Sequence, residues 1–379
     1  MKKIGCLTFH GAYNYGSALQ AYALQESVIN ISNDIDYKII NYRTQLQSIS
    51  YQSVFQKKDL KSIYSRFFVF GKTKELEGKS RKFEKFLRNE LRLTNRAESI
   101  DEAYRIIDQF DTIIVGSDQV WNIRAFDFSW LYFLEQKKSE INAFSYAVSM
   151  GCKKIECTQE ESQRIKNALM SFNHVSVRDA FTKEFLNTCG YSDNQISINC
   201  DPVLLIDAES WKKLANSSEC ILPRRKYILF YDLSRNKENW RIAKEISKMM
   251  NMPVIITCVP FPRTISESCS SCFEKYFNVG PKEWLKLIME SELVLSSSFH
   301  GTVFSVLFKK KFYTINGVSD YRISTFLRNI SLEDRDINEQ NYREKVDINV
   351  EIDYLKANDY IAGERLKSAE YLRRILTDC

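Results

Sequence analysis

Short apolar segments alternate with amphipathic ones twice along this chain, and that alternation confines it to parallel-sheet α/β folds. Ile4–Phe9 reads as a strand, the loop Gly11 to Gly16 follows, then an Ala/Leu/Gln-rich helix over about Ser17–Ile31 and a strand at Tyr37–Tyr42. Strands continue at Thr112–Val115, Ala143–Ser149 and His174–Val177, with a helix at about Glu160–Phe172. A break falls around Asp201–Pro223, and the pattern restarts. The second series runs through strands Tyr227–Tyr231, Val254–Cys258, Leu293–Ser297 and Phe312–Ile315, with helices at Asn236–Met250 and Pro281–Glu290. At 379 residues the chain is too long for one comfortable core. We therefore expect two Rossmann-like α/β domains with a central cleft: 1–210, including a basic helical excursion at about 50–100, and 211–360. A terminal stretch, 361–379, with a helix at about Glu364–Leu376, is expected to cross back to the first domain.

Charge narrows the partners. Lys57 to Arg92 carries twelve Lys/Arg against five Asp/Glu, more than the whole chain's net +6. Phe67, Phe68, Phe70, Phe83, Phe86 and Leu87 interleave with those cations. This reads as one or two amphipathic helices, either a solvated excursion or a contact with an anionic membrane surface or a phosphorylated acceptor. Nucleic acid is not expected, since no binding motif accompanies the charge. The ten cysteines are scattered among apolar neighbours and read as reduced, buried small hydrophobes. Cys269 and Cys272 have redox or zinc spacing but lack a second Cys/His pair, so no metal is expected. With no run of 18 apolar residues and no signal-peptide pattern, the expected location is the cytoplasm.

In such folds ligands bind outside the carboxyl ends of strands, so the loops after strands carry the function. Four qualify: Asn14-Tyr15-Gly16, with His10 just before them; Gly116-Ser117-Asp118; Arg178-Asp179; and Ser296 to Thr302. The last is the most informative. It passes from an apolar strand through three serines to His300 at the start of a helix, where free amides and the helix dipole favour a phosphate or carboxylate. Ser298, Gly301 and Thr302 line that turn, with Gly301 allowing close backbone approach. An imidazole there can move a proton near neutral pH. His10 and His174 also suit structural roles. Asn14 can donate to a ligand, and Asp118 can serve the site or cap a helix through Trp121 and Asn122. Arg178 can clamp an anion or pair with Asp179 or a neighbouring carboxylate. No dinucleotide fingerprint or P-loop is present.

These residues carry a resemblance. The blocks Leu7 to His10, Asn14 to Gln25, Gly116 to Asn122, Val175 to Asp179, Asp201 to Leu205 and Ser297 to Thr302 together closely resemble the polysaccharide pyruvyl transferase family, over roughly residues 4–328. The resemblance implies a GT-B-like fold and no cofactor. Phosphoenolpyruvate would be the donor, and its pyruvyl group would pass to a sugar of a cell-surface polysaccharide or its lipid-linked precursor, as in exopolysaccharide biosynthesis. It implies His300 as the active-site histidine and Arg178 as a donor-binding arginine. It also aligns Arg322 with a position where many members carry lysine, so the charge is kept and a titratable amine is lost. A nucleotide-sugar glycosyltransferase of the same fold, or a non-catalytic glycan-binding relative, are the alternatives.

Overall fold

Strand β1 (Lys2–Leu7) is buried along its last four residues on both faces, as a central parallel strand requires. The computed structural model that shows this describes residues 1–44, 72–151, 156–192, 195–219, 222–234 and 236–377. From β1 the chain enters α1 (Tyr15–Ile29), capped by Asn14, and returns as β2 (Ile35–Ile39). Eleven of the fifteen residues of α1 are buried, so it has no polar face. The interior Gln20 resolves this by donating to Thr8 Oγ1, Phe9 O and Ser17 O at 2.9–3.1 Å.

Next come α2 (Thr73–Glu90), α3 (Ile100–Ile107), β3 (Thr112–Val115), β4 (Asn142–Ser145), α4 (Gln159–Leu169), β5 (Val175–Val177), α5 (Ala180–Thr188) and β6 (Ile196–Ile198). Strand order is β2-β1-β3-β4, all parallel, with β5-β6 a separate parallel pair bridged to β4 at Phe144–His174. Order reverses between β1 and β3. The core beneath is aromatic, with Trp121 stacked on Phe133 at 5.1 Å and edge-on to Phe172.

The second series is α6 (Ala208–Asn216), β7 (Ile228–Tyr231), α7 (Lys237–Met250), β8 (Val254–Ile256), β9 (Phe273–Lys275), α8 (Pro281–Glu290), β10 (Leu293–Ser296), α9 (Phe299–Leu307), β11 (Phe312–Ile315), α10 (Tyr321–Asn329) and β12 (Asp336–Ile337). Its sheet is parallel in the order β12-β11-β10-β7-β8-β9, reversing between β7 and β10. A final helix, α11 (Leu355–Thr377), closes the described chain.

The chain divides into two compact units, one from the described residues within 1–51, 86–206 and 361–379, the other from those within 52–85 and 207–360. The division falls inside α2 and inside α11. Residues 361–377 lie in the first unit, where Tyr371 Oη donates to Ser145 O and Ser368 Oγ accepts from Cys200 N. Residues 72–85 belong to the second unit, not to the first as the 1–210 boundary anticipates. There Lys79 and Lys82 donate to Thr257 O and Asn278 O.

Four further expectations change. The break at Asp201–Pro223 contains α6, capped by Asp207 and held by Trp211, Leu214 and Ala215 at helical spacing. The terminal helix begins nine residues earlier than Glu364. Phe83, Phe86 and Leu87 are buried, so α2 has already committed its apolar face to the fold. Phe67, Phe68 and Phe70 lie outside the described residues. All seven described cysteines are free thiols, but Cys269 is exposed and only Cys6, Cys189 and Cys200 are buried. No helix among the described residues is long and apolar enough to cross a membrane.

Candidate active site

Three of the four predicted loops, those after β1, β3 and β10, lie where strand order reverses, which is where an open parallel sheet opens a crevice, while Arg178-Asp179 follows β5 in the separate strand pair. In the second unit the reversal lies between β7 and β10, and the predicted loop is the one after β10. Ser296 ends β10, and its hydroxyl donates to Tyr231 O at 3.2 Å and accepts from Ser298 N at 3.0 Å, which fixes the turn. Ser298 is the N-cap of α9 in extended backbone, without a side-chain cap bond. Thr302 donates its hydroxyl to Ser298 O and is fully buried, so within the fold this side chain holds the first helical turn together. Gly301 also has a packing reason: a Cβ there would stand 2.2 Å from Ser296 Oγ, so a side chain would crowd α9 against its own strand end.

His300 sits in the first turn of α9 and is 8% exposed. Its ring meets Phe299 edge-on at 5.5 Å, Phe299 meets Phe326 of α10 at 6.0 Å, and the Arg322 guanidinium lies 6.0 Å from the Phe299 centroid. Phe299 thus joins the histidine and the arginine. Arg322 is held bidentately by Asp320, Nε to Oδ1 at 2.9 Å and Nη2 to Oδ2 at 2.5 Å, while Asp320 also caps α10. The ion pair fixes where the guanidinium stands.

In the first unit the loops after β1 and β3 are stitched together. Thr8 Oγ1 donates to Ser117 O at 3.1 Å, and Ser17 Oγ donates to Asp118 Oδ2 at 2.7 Å. Asn14 is the helix cap, its Oδ1 accepting from Gly16 N at 2.9 Å, and Tyr15 is buried. Gly116 adopts φ +116°, where a Cβ would lie 2.3 Å from Tyr146 O, and a cis peptide joins it to Ser117. Ser117 donates to Ala147 O. No helix follows Asp118, so the capping alternative fails; its Oδ1 accepts from Gln119 N. His10 is buried, with Nδ1 3.0 Å from Thr8 O and Nε2 3.2 Å from Asn41 Oδ1. Both ring nitrogens face oxygens, so His10 is anchored.

Arg178 follows β5 and forms a 2.6 Å ion pair with Asp201, the two side chains being 5% and 0% exposed. Its partner is thus Asp201 and not Asp179, which caps α5 through Thr182 N. His174 stacks on Phe144 at 6.0 Å.

The sequence reading passed over Asp232, immediately after β7. This carboxylate is buried and collects Asn239, Ser234 and Trp240 as donors at 2.8–3.2 Å. Burial pushes its pKa up, partly offset by hydrogen bonds from Ser297 and Asn239. The strand-end rule applied to Tyr227–Tyr231 selects it directly. Among the described residues no group of three or more His, Cys, Asp or Glu side chains is placed to hold a metal.

Two parallel-sheet α/β units define the fold as GT-B-like. It is shared with the UDP-GlcNAc 2-epimerase from Methanocaldococcus jannaschii, at 15% identity over 100% of both chains and TM-score 0.55. The UDP-N-acetylglucosamine 2-epimerase from Rickettsia bellii is also similar, at 14% identity over 100% of this chain and 96% of the other, TM-score 0.52. No curated protein matches the chain. Residues 14–317 match the family model "Polysaccharide pyruvyl transferase", and the chain belongs to that family.

Proposed function

We propose that the protein transfers a pyruvyl group from phosphoenolpyruvate to two hydroxyls of a sugar in a cell-surface polysaccharide or its lipid-linked precursor, in the cytoplasm. The product is a cyclic ketal, and phosphate is released. Family membership supports the reaction class. The observation that carries the reading is His300 in the first turn of α9, linked through Phe299 to Arg322.

The chemistry asks for little more. A proton adds to the methylene carbon, the resulting oxocarbenium-like centre is attacked by one sugar hydroxyl, phosphate leaves, and the second hydroxyl closes the ketal. One hydroxyl proton balances the new methyl group and the other leaves with phosphate. We assign the proton transfer at the methylene carbon to His300. The positive end of α9, whose first turn holds His300 and Gly301, together with Arg322, suits the donor's two anionic groups. Arg178, engaged by Asp201, suits a role in holding the loop after β5. For the first-unit loops we propose a part in ligand binding, with Asp118, already bonded to Ser17, able to accept from a hydroxyl.

Phosphate release with phosphoenolpyruvate and a panel of hexopyranosides tests the proposal. His300→Ala should lower turnover by about 10²- to 10⁴-fold, the range for loss of a general acid–base group, while circular dichroism stays unchanged. Tight nucleotide-sugar binding with no response to phosphoenolpyruvate would replace the proposal with the glycosyltransferase reading.

A further inference from the structure

We infer that Asp232 is a positioning residue, a buried hub that sets the turn carrying His300 through Ser297 and the turn carrying Arg322 through Asn239 and Asn316. The inference rests on the proposed donor site.

The three loops involved follow β7, β10 and β11, which are neighbours in the sheet. Asp232 Oδ1 accepts from Asn239 Nδ2 at 2.9 Å and Ser234 Oγ at 2.8 Å, and Oδ2 accepts from Trp240 Nε1 at 3.2 Å. Ser297 completes the set. Its Oγ accepts from Leu233 N, the residue next to Asp232, at 3.0 Å, and its own N donates to Tyr231 O on the other side of Asp232 at 3.1 Å. Ser297 thereby ties the loop after β7 to the turn that starts α9.

The other branch runs through a fully buried amide. Asn239 turns its nitrogen to Asp232, and its oxygen accepts from Asn316 Nδ2 at 2.6 Å, which fixes the orientation of both side chains. Asn316 follows β11 at φ +56°, and its carbonyl accepts from Ser319 N and Ser319 Oγ. The next residue is Asp320, the carboxylate that grips Arg322.

A satisfied buried polar network fixes its members more firmly than apolar packing does, and losing one member leaves the rest unsatisfied. Here each branch ends in a different functional turn. The two branches should therefore separate in experiment, which a merely structural network would not do.

The test uses the full chain with Ser297→Ala, Ser297→Thr and Asn316→Gly, the glycine keeping the left-handed backbone accessible. Three readouts are taken: the ring resonances of the three histidines by NMR, phosphoenolpyruvate affinity by calorimetry, and turnover. Ser297→Ala should move the His300 resonances and lower turnover about tenfold, as expected for one lost hydrogen bond, with donor affinity held within about threefold. Ser297→Thr should restore both. Asn316→Gly should weaken phosphoenolpyruvate about tenfold and leave the His300 resonances in place. Variants that lose only thermal stability, or that lose affinity and turnover in equal measure, overturn the inference. If the wild type neither binds nor turns over phosphoenolpyruvate, the proposed function falls. The His300 resonances then still decide the hub, moving with Ser297→Ala and not with Asn316→Gly.

Discussion

At the scale of single residues, burial decides reactivity. Cys6 and Cys200 are enclosed, and burial pushes each thiol up to about 12, while Cys269 is exposed. A thiol-reactive dye on the native protein should label Cys269 rapidly and leave Cys6 and Cys200 unmodified until the protein unfolds. Peptide mapping reads the outcome. Asp232 gives a second prediction with a definite sign. Its pKa is raised in the fold by burial, so the folded state holds that proton more tightly than the unfolded state does. Its contribution to stability therefore falls as pH rises from the ordinary aspartate range, about 3.9, through the raised folded value. Relative to Asp232→Asn, which does not titrate, the wild type should gain melting temperature as pH is lowered across that window. A difference that is flat or grows with pH contradicts the assignment. Asp232 was legible from its place at a strand end, but a single aspartate among many polar strand-end residues carries no mark of the donors that surround it.

At the scale of elements, the periodicities of the sequence located most strands and helices because parallel strands buried on both faces leave continuous apolar runs. Thr112–Val115, Pro281–Glu290 and Phe312–Ile315 fall where the residues place them. What the sequence concealed is instructive. Helix α6 has Ala208 to Asn216 behind an aspartate cap and only three buried side chains, a pattern easily taken for a polar connection. Gly301 sits in a strand-to-helix turn, and only the coordinates reveal Ser296 Oγ behind it. Gly301→Ala should therefore push α9 off its strand and cost about 1–3 kcal/mol of stability, the usual range for overpacking, along with activity. Chemical denaturation measures it. A Gly301→Ala variant of wild-type stability would show that Ser296 yields freely.

At the scale of the whole molecule, the sequence foretold a GT-B-like α/β fold and a family membership, and both are found. The boundary within α2 was not legible, because it depends on where Lys79 and Lys82 find carbonyl partners far away in the chain. For the same helix, the buried Phe83, Phe86 and Leu87 leave charge as its means of holding an anionic surface. Any binding of the protein to anionic vesicles through this helix should therefore disappear in high salt, as co-sedimentation would show. The central claim concerns the reaction, and its most direct test is to run the protein with phosphoenolpyruvate and a hexopyranoside panel in D₂O. The account predicts a pyruvate ketal whose methyl group carries one deuterium, with one phosphate released per ketal and both lost in His300→Ala. A ketal formed at the wild-type rate by His300→Ala would contradict it, as would phosphate release without any ketal.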